Sequence, residues 1–595
     1  MYFKKLNNNL RIFFLFSYYI KMSADLVVYT QSVEESPTSS VMVDKKWLSV
    51  IDQNNGSYSS GQSTIETTSL ATSDRMMNYK EAYLAVPLVL TAGNSTASNA
   101  LTLGDGTDQT KLMGLKNSYT TLIHSMSVDL NGTNIIQQTP FSEFYNAFNL
   151  MTSLSWGDVK TQGSTIGFYP DDALSATAFV DDSFAGPADQ IVNNRDNFFV
   201  ADDPGKTGEG GNVGFHKRLQ YINYNADSTV LGNDDTVEKA QSSFLTKAAA
   251  DTLYKSQVYN VQAGSSTASP IIQTQVLAII KLRHLHNFFC HVPLSRGLQF
   301  RFIINFNQCT QSIVTDGTNL TAEINVKSQF GGVVPLMVAS SVTNNGGESL
   351  LDGTGGTCMF DLSVGKSCLN STLNAAGTTI PTALPASVAL HVPSYIMSPS
   401  LAGAYVSANS SKRITYTDVY QFKISDVTAG STENRLITSG IRGIRSVLMI
   451  PMSPAASNGG VAEHASVLSD CGGGTSSLLA QVTNFQVQIG GVNQIESGGR
   501  YEWEIFNNYV YGVNAVNGGM SDGLTSGLVG QSDWARKYLY YYVDCNRGTD
   551  LERDTPKSVQ VQFQNVSAKT QDYYVYVEFE NSFALDVGTG SIVGA

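Results

Sequence analysis

The sequence predicts an all-β chain of two tandem sandwich modules carrying short helices and long loop insertions, and three observations carry the prediction. The first is a pattern of the form V-x-[LI]-x-G-x-N-x-I that occurs twice. It reads Val128-Asp129-Leu130-Asn131-Gly132-Thr133-Asn134-Ile135-Ile136, then Val487-Gln488-Ile489-Gly490-Gly491-Val492-Asn493-Gln494-Ile495, at an offset of 359 residues (487 − 128). Ordered self-similarity on an alternating pattern marks repeated copies of one structural unit. The second is strict period-two alternation, as in Phe300, Phe302, Ile304 and Phe306 or in Val559, Val561 and Phe563, which marks strands with one buried face. The third is composition: Gly 52, Tyr 28 and Phe 27 against Trp 4, with much Ser, Thr, Asn and Val and no long amphipathic helix pattern.

The likeness between the copies extends beyond the core pattern. Downstream, Phe141, Glu143, Tyr145, Asn146 and Phe148 match Tyr501, Glu504, Phe506, Asn507 and Tyr509 after a small slip in register. Upstream, Ala85-Val86-Pro87-Leu88 stands beside His391-Val392-Pro393-Ser394, offset by 306 (391 − 85). Strands with one buried face, two sheets' worth per module, imply a sandwich.

Taken in chain order, residues 1–75 read as a leader and an N-terminal arm. Lys4, Lys5 and Arg11 precede an apolar stretch at 12–20 that is too short to span a bilayer. That is the outline of a secretory signal, but nothing downstream looks adapted to an oxidising compartment, and Met22 offers an alternative start. Residues 23–75 are polar, with room for one strand. The first module covers 76–312, with strands at 83–91, 122–130 and 298–306 and a long loop insertion at about 157–270. Residues 313–385 form a Gly/Ser/Thr/Asn-rich connection with some strand character, as in Ala322-Glu323-Ile324-Asn325-Val326. The second module covers 386–595, with strands at 485–489, 558–564 and 574–580. In the last of these Val575, Val577 and Phe579 share one face, while Tyr576, Glu578 and Glu580 share the other. Helices are expected at 141–150 and 500–509, each following the same strand of the repeat. The interval from Pro87 to Val128 is 41 residues, against 94 from Pro393 to Val487, which predicts unequal decoration of the modules.

At 595 residues, 42% hydrophobic and 15% charged, the chain folds around large cores. Its net charge of −13 argues against a face that neutralises phosphates, so no sequence-specific nucleic-acid contact is expected. The basic cluster Lys412, Arg413, Lys423, Arg435, Arg442 and Arg445 could touch DNA or an acidic partner, with ion pairs to a neighbouring subunit the competing reading. The six cysteines (Cys290, Cys309, Cys358, Cys368, Cys471, Cys545) are scattered like ordinary thiols, with Cys358 and Cys368 near enough in sequence to bridge one loop. Sequons such as Asn94-Ser95-Thr96 and Asn370-Ser371-Thr372 are expected by chance at this composition.

Candidate chemistry is sparse. Gly519-Met520-Ser521-Asp522-Gly523 has the form G-x-S-x-G, but a nucleophile elbow needs a strand before the serine and a helix after it. The flanks here read as flexible loop, so no catalytic residue is assigned. His284 and His286 would share a face if they lay on a strand, with Cys290 and His291 nearby, as zinc ligands can. Histidines beside Leu285, Phe288 and Phe289 read instead as packed residues, and no metal is assigned. Four Asp-Asp pairs (Asp171-Asp172, Asp181-Asp182, Asp202-Asp203, Asp234-Asp235) lack calcium-ligand spacing and read as solvated acidic loops. No Walker loop or dinucleotide fingerprint is present, so no cofactor is expected.

Several segments together resemble the major capsid proteins of virophages and polinton-like viruses, within the double jelly-roll group of double-stranded DNA viruses. In the first module they are Leu115-Lys116-Asn117-Ser118-Tyr119 with 122–125, Leu130-Asn131-Gly132-Thr133, 149–153, Ile166-Gly167-Phe168-Tyr169-Pro170-Asp171 and Gly214-Phe215-His216-Lys217-Arg218. In the second they are Val392-Pro393-Ser394-Tyr395 with Pro399, then 414–420 and 444–451. The likeness spans about residues 80 to 585 in order, and the 21-residue leader departs from it. The resemblance implies two upright eight-stranded antiparallel jelly rolls and a homotrimeric capsomer of pseudo-sixfold outline tiling an icosahedral shell. It also implies penton and minor capsid proteins as partners, and it leaves the presence of an internal membrane open. A secreted β-sandwich adhesin or lectin-like binding protein is the alternative from another class, and it would make the leader a signal peptide.

Two expectations can be checked directly. Expression from Met22 should yield soluble protein with the same number of subunits as the full chain's assembly, as read by light scattering. Ser521→Ala should change stability by less than about 0.5 kcal/mol, as loop substitutions away from packed features do; a denaturation midpoint and a hydrolase assay against the parent check this.

Overall fold

The computed structural model describes residues 42–94, 113–137, 139–171, 214, 218, 258–263, 271–315, 320–328, 330–338, 356–365, 387–454, 462–467, 469–477, 480–495, 501–514, 526–545 and 555–592. The alternating segments become strands as expected, and they pair antiparallel. The first module contains β1 (Met42–Ile51), β2 (Gln62–Glu66), β3 (Tyr83–Asn94), β4 (Ile123–Leu130), β5 (Thr133–Ile136), β6 (Ile271–Lys281), β7 (Phe300–Phe306), β8 (Gly356–Val364) and β9 (Ala389–Met397). One sheet runs β2-β7-β4-β5, and in the other β1, β9, β3 and β6 are successive neighbours. β8 and β9 lie end to end along one edge of β3, where Leu362 faces Leu90 and Ala389 faces Ala85, so together they fill a single strand position.

The second module contains β10 (Lys412–Val427), β11 (Thr432–Ile441), β12 (Ile444–Met452), β13 (Val482–Ile489), β14 (Val492–Asn493), β15 (Tyr541–Asp544), β16 (Lys557–Asn565) and β17 (Gln571–Leu585). Its sheets run β10-β17-β12-β15 and β11-β16-β13-β14. Counting positions from one to eight in chain order, both modules read 1-8-3-6 in one sheet and 2-7-4-5 in the other. That is the jelly-roll order, reached twice.

The repeat has a definite structural meaning. In each copy it is the hairpin joining positions four and five, and Val128 faces Phe302 across the sheet as Val487 faces Val561. The two turn residues are left-handed in both copies: Asn131 (φ 50°) with Gly132 (φ 84°), and Gly490 (φ 57°) with Gly491 (φ 82°). Such turns twist with the strands they join, and Asn-Gly or Gly-Gly is what they require. Each hairpin leads to a helix of 12 residues, α1 (Ser142–Ser153) and α2 (Trp503–Asn514), which begin 361 residues apart (503 − 142).

The structure corrects several expectations. The supposed counterparts 85–88 and 391–394 are not equivalent positions in two modules but lie on neighbouring strands of one sheet, β3 and β9. The true counterpart of β3 is β12. From its first residue to the repeat valine is 43 residues (487 − 444), against 45 in the first module (128 − 83), so this interval is not unequally decorated. β9 pairs with β1 and β3, so the first module does not end at 312, and Ala389–Met397 belongs to its sheet instead of opening the second module. Of the expected connection 313–385, β8 and the strands Cys309–Thr315 and Leu320–Ser328 belong to that sheet as well. The arm contributes β1 and β2 rather than a single strand. An apolar-polar pattern shows which face of a strand is buried, but not which partner covers it.

Within the long insertion expected at 157–270, residues Trp156–Ile166 form a helix closed by a capping box between Ser155 and Asp158. Val258–Ala263 is a strand paired with β6. Asp171 is buried. Asp172 and the other three Asp-Asp pairs lie outside the described residues, as do residues 1–41, Ser521, Cys368 and both sequon tripeptides beyond Asn94. The helices expected at 141–150 and 500–509 are present but shifted, ending at Ser153 and Asn514.

Candidate functional site: the junction between the modules

The expected single buried face of 574–580 is where packing departs most from pattern. Every residue of β17 from Gln571 to Glu578 is buried. Tyr573, Val575 and Val577 face the opposing sheet, with the Tyr573 ring 4.4 Å from Phe563. Tyr574 and Tyr576 point the other way and are covered by the first module. Phe141 and Phe144 each bring a ring to 4.9 Å from Tyr574, and Phe148 lies 4.9 Å from Tyr540 and 5.6 Å from Tyr542. Helix α1 therefore lies across the outer face of the second module's β10-β17-β12-β15 sheet. Its residues Phe144, Phe148, Leu150 and Met151 belong to the second module's core cluster.

Hydrogen bonds fix the seating of the helix. Tyr576 Oη donates to Phe141 O at 2.7 Å, and Tyr145 Oη donates to Glu578 Oε1 at 2.6 Å. Ser446 Oγ donates to the other oxygen of Glu578. Burial raises the pKa of Glu578, against the opposing pull of these two hydroxyls. On the approach to the helix, Thr139 Oγ1 donates to Val419 O at 3.1 Å, and Tyr416 Oη donates to Ile135 O at 2.8 Å.

Beside the helix the two modules share buried charge. The fully buried Lys116, from the loop between β3 and β4, donates through Nζ to His464 O and Cys471 O, each at 3.0 Å. Both acceptors belong to the corresponding loop of the second module, between β12 and β13. Arg218 Nη2 pairs with Asp171 at 2.5 Å, and Lys537 pairs with Asp470. Tyr538 Oη, from the second module, donates to Asp171 O at 2.5 Å and ties the two pairs together. Ion pairs this deep are weak evidence for net stability, but removing one member leaves an uncompensated buried charge, which costs several kcal/mol.

The run Cys471-Gly472-Gly473-Gly474-Thr475 allows this approach. A Cβ on Gly473 would lie 2.8 Å from Asn117 N, and one on Gly472 would lie 2.9 Å from Val333, with Gly472 at φ 93°. Glu463, in the same loop, is fully buried, and burial pushes its pKa up to about 7; a hydrogen bond from Ser477 opposes the shift. Neighbouring His464 is pushed down to about 3, by burial first and by Lys116 second.

The histidines and Cys290 fall near this junction but form no ligand set. His284 and His286 do not share a strand face, because the chain turns there through Leu282–His284 into the short helix Phe288–His291. A cleft of about 400 Å³ is lined by His284, His286 and Cys290 together with Arg445. His286 Nδ1 accepts from Phe288 N at 3.2 Å, which leaves the proton on Nε2 to reach Asp418 Oδ1 at 3.3 Å, another bond between modules. Burial beside Arg283 and Lys281 pushes the His284 pKa down to about 3. His291 is exposed. Among the described residues no three His, Cys, Asp or Glu side chains gather closely enough to hold a metal ion.

The basic cluster is dispersed over β10, β11, β12 and the turn between the last two, where Arg442 lies. Lys423 pairs with Asp572 at 2.8 Å, Arg435 with Glu433 at 2.8 Å, and Arg445 donates to Thr417 at 3.1 Å. Sequence reasoning missed Lys116, Arg218, Asp171, Asp470, Lys537 and Glu463 as a group. Lys116, Asp171 and Arg218 stood in segments that carry the family resemblance, but lone charges in short motifs do not reveal their partners hundreds of residues away.

No family model matches the sequence, and no curated protein matches it either. Among solved structures, a chain of the Sputnik virophage structure determined by cryo-EM matches with a TM-score of 0.50 at 10% identity, covering 95% of this chain and 90% of that one. The mavirus major capsid protein matches at 0.43 and 10% identity (95% and 93% covered), and the Faustovirus major capsid protein at 0.40 and 10% identity (98% and 98%). The likeness to the Sputnik chain is one of fold over nearly the whole length: the chain is a double jelly roll.

Glu463 gives this junction a pH signature. When folded it keeps its proton up to about pH 7, and when unfolded only to about 4.5, so folding takes up a proton between these values and stability falls as the pH rises through them. Glu463→Gln removes that loss. The variant should gain on the parent across this window, by on the order of 3 kcal/mol at pH 8, as read from denaturant midpoints at pH 5 and pH 8. Parallel pH profiles would contradict the assignment.

Proposed function

We propose that this chain is the major capsid protein of a double-stranded DNA virus, assembling as a homotrimeric capsomer of pseudo-sixfold outline that tiles an icosahedral shell. The observation that carries the reading is the junction: two jelly rolls of identical strand order lie side by side, with a helix of the first sealed onto the outer sheet of the second. A binding or catalytic protein built on a sandwich needs only one module and a site at its loops. A tile needs a rigid body with repeated, similar flanks, and the buried aromatic and ionic junction supplies that rigidity. The fold shared with the Sputnik chain over 95% of this one supports the same reading. So does the acidic balance of −13, which suits a wall better than a nucleic-acid clamp. Penton and minor capsid proteins at the shell's vertices and seams follow as partners of such a tile.

The purified chain should be a closed cyclic homotrimer. Multi-angle light scattering should give three times the chain mass, and negative-stain images should show a near-hexagonal outline. Obligate interfaces of this type bury on the order of 2,000 Å² or more, so dilution should not release folded monomers. A stable monomer at micromolar concentration would rule the capsomer out.

A further inference from the structure

We propose that the exposed side of α2 and the first module's outer sheet are the two halves of one docking contact between copies of this chain, repeating between chains the junction that α1 makes within one. This inference rests on the capsomer reading and specifies its interface. The argument starts from what α1 covers. Within the chain, the segment from Thr139 to Phe148 seals the outer face of β10 and β17, through Val419, Tyr574 and Tyr576. The corresponding strand positions of the first module are β1 and β9, and there the outer face of β1 is exposed, while Pro393 and Tyr395 opposite it on β9 are buried. Val43 is 65% exposed, Trp47 49% and Ile51 61%, at every fourth position along β1. Trp47 leans on Tyr83 at 5.5 Å, and Tyr83 stacks on His391 at 4.9 Å, so the apolar strip continues across β9 to β3. A large exposed apolar strip marks an interaction surface.

The complementary half is the helix of the other copy of the repeat. With helix starts 361 residues apart, Glu504, Ile505 and Tyr509 stand where Glu143, Phe144 and Phe148 stand in α1. Glu143 and Phe148 are fully buried and Phe144 nearly so, whereas Glu504 is exposed and Ile505 and Tyr509 are only half-buried. The helix that follows the same hairpin is thus buried on this side in one module and half-exposed in the other, where Ile505 and Tyr509 rest only against the edge of their own core. Charge also matches: Glu502 precedes α2 and Glu504 lies in its first turn, while Lys45, 3.8 Å from Glu81 with half its side chain exposed, sits between Val43 and Trp47 on the strip. The two surfaces are different patches of one chain, so the contact is head-to-tail and closes only in a ring.

The test uses the full-length protein. Trp47→Asp and Ile505→Asp, made separately, should each raise the concentration at which trimers dissociate by at least tenfold, while circular dichroism matches the parent. A chain carrying both Trp47→Cys and Ile505→Cys, treated with a short flexible bis-maleimide, should run as covalent trimers on a denaturing gel; either single variant, and the parent with its native thiols, should not. If the parent is a trimer but the Asp variants hold together as tightly and the double-cysteine chain stays uncrosslinked, this contact is refuted and the capsomer reading stands. If the variants remain trimeric and only shell assembly fails, the strip meets a neighbouring capsomer and the proposal is again overturned. A monomeric parent removes the capsomer reading itself.

Discussion

The structure depends on the seating of α1 against the outer face of the second module's β10-β17-β12-β15 sheet. Without it, Tyr574, Tyr576, Leu448 and Ile450 would form a wide apolar surface, and the first module would have a helix of phenylalanines with no core to enter. Each aromatic pair at 4.9 Å adds roughly 0.5–1.5 kcal/mol beyond the area it buries. Several such pairs, with the hydroxyl bonds of Tyr145 and Tyr576, make separation of the modules unfavourable. The two jelly rolls thus behave as one body because the sheet of one is unfinished without the helix of the other.

The buried charges set the angle at which the modules meet. Apolar packing tolerates small slides, but the Lys116 ammonium must point at His464 O and Cys471 O, and Tyr538 must reach Asp171 O. A slip of one ångström would leave donors and acceptors stranded in a dry interior, where each costs about 1–3 kcal/mol. Gly472 and Gly473 allow this approach because no side chain fits between the loop and the first module. The same dryness raises the pKa of Glu463 to about 7 and keeps His464 neutral by lowering its pKa to about 3.

Where the sequence was misread, the error has a common form. The resemblance of 85–88 to 391–394 is real as a pattern, but neighbouring strands of one sheet share their alternation as readily as equivalent strands of two. β8 and β9 share one strand position across a gap of residues 365–388, and such a break reads in one dimension as a linker followed by a new module. The tyrosines of β17 read as a solvent face because Tyr tolerates both water and burial, and their cover, α1, lies more than four hundred residues upstream.

What the sequence determined by itself was local. The alternation set the strands, the Asn-Gly and Gly-Gly pairs set two left-handed turns, and the duplicated V-x-[LI]-x-G-x-N-x-I set the equivalence of the hairpins and of the helices that follow. These depend on backbone geometry and on periodicity within a dozen residues, so a single copy suffices to specify each. Which strand closes the first sheet, which face of β17 is covered, and which carboxylate meets Lys537 or Arg218 were decided by tertiary structure alone. Those choices are made by partners distant in the chain, and a residue's type records its need to be buried or paired but not the identity of what buries or pairs it.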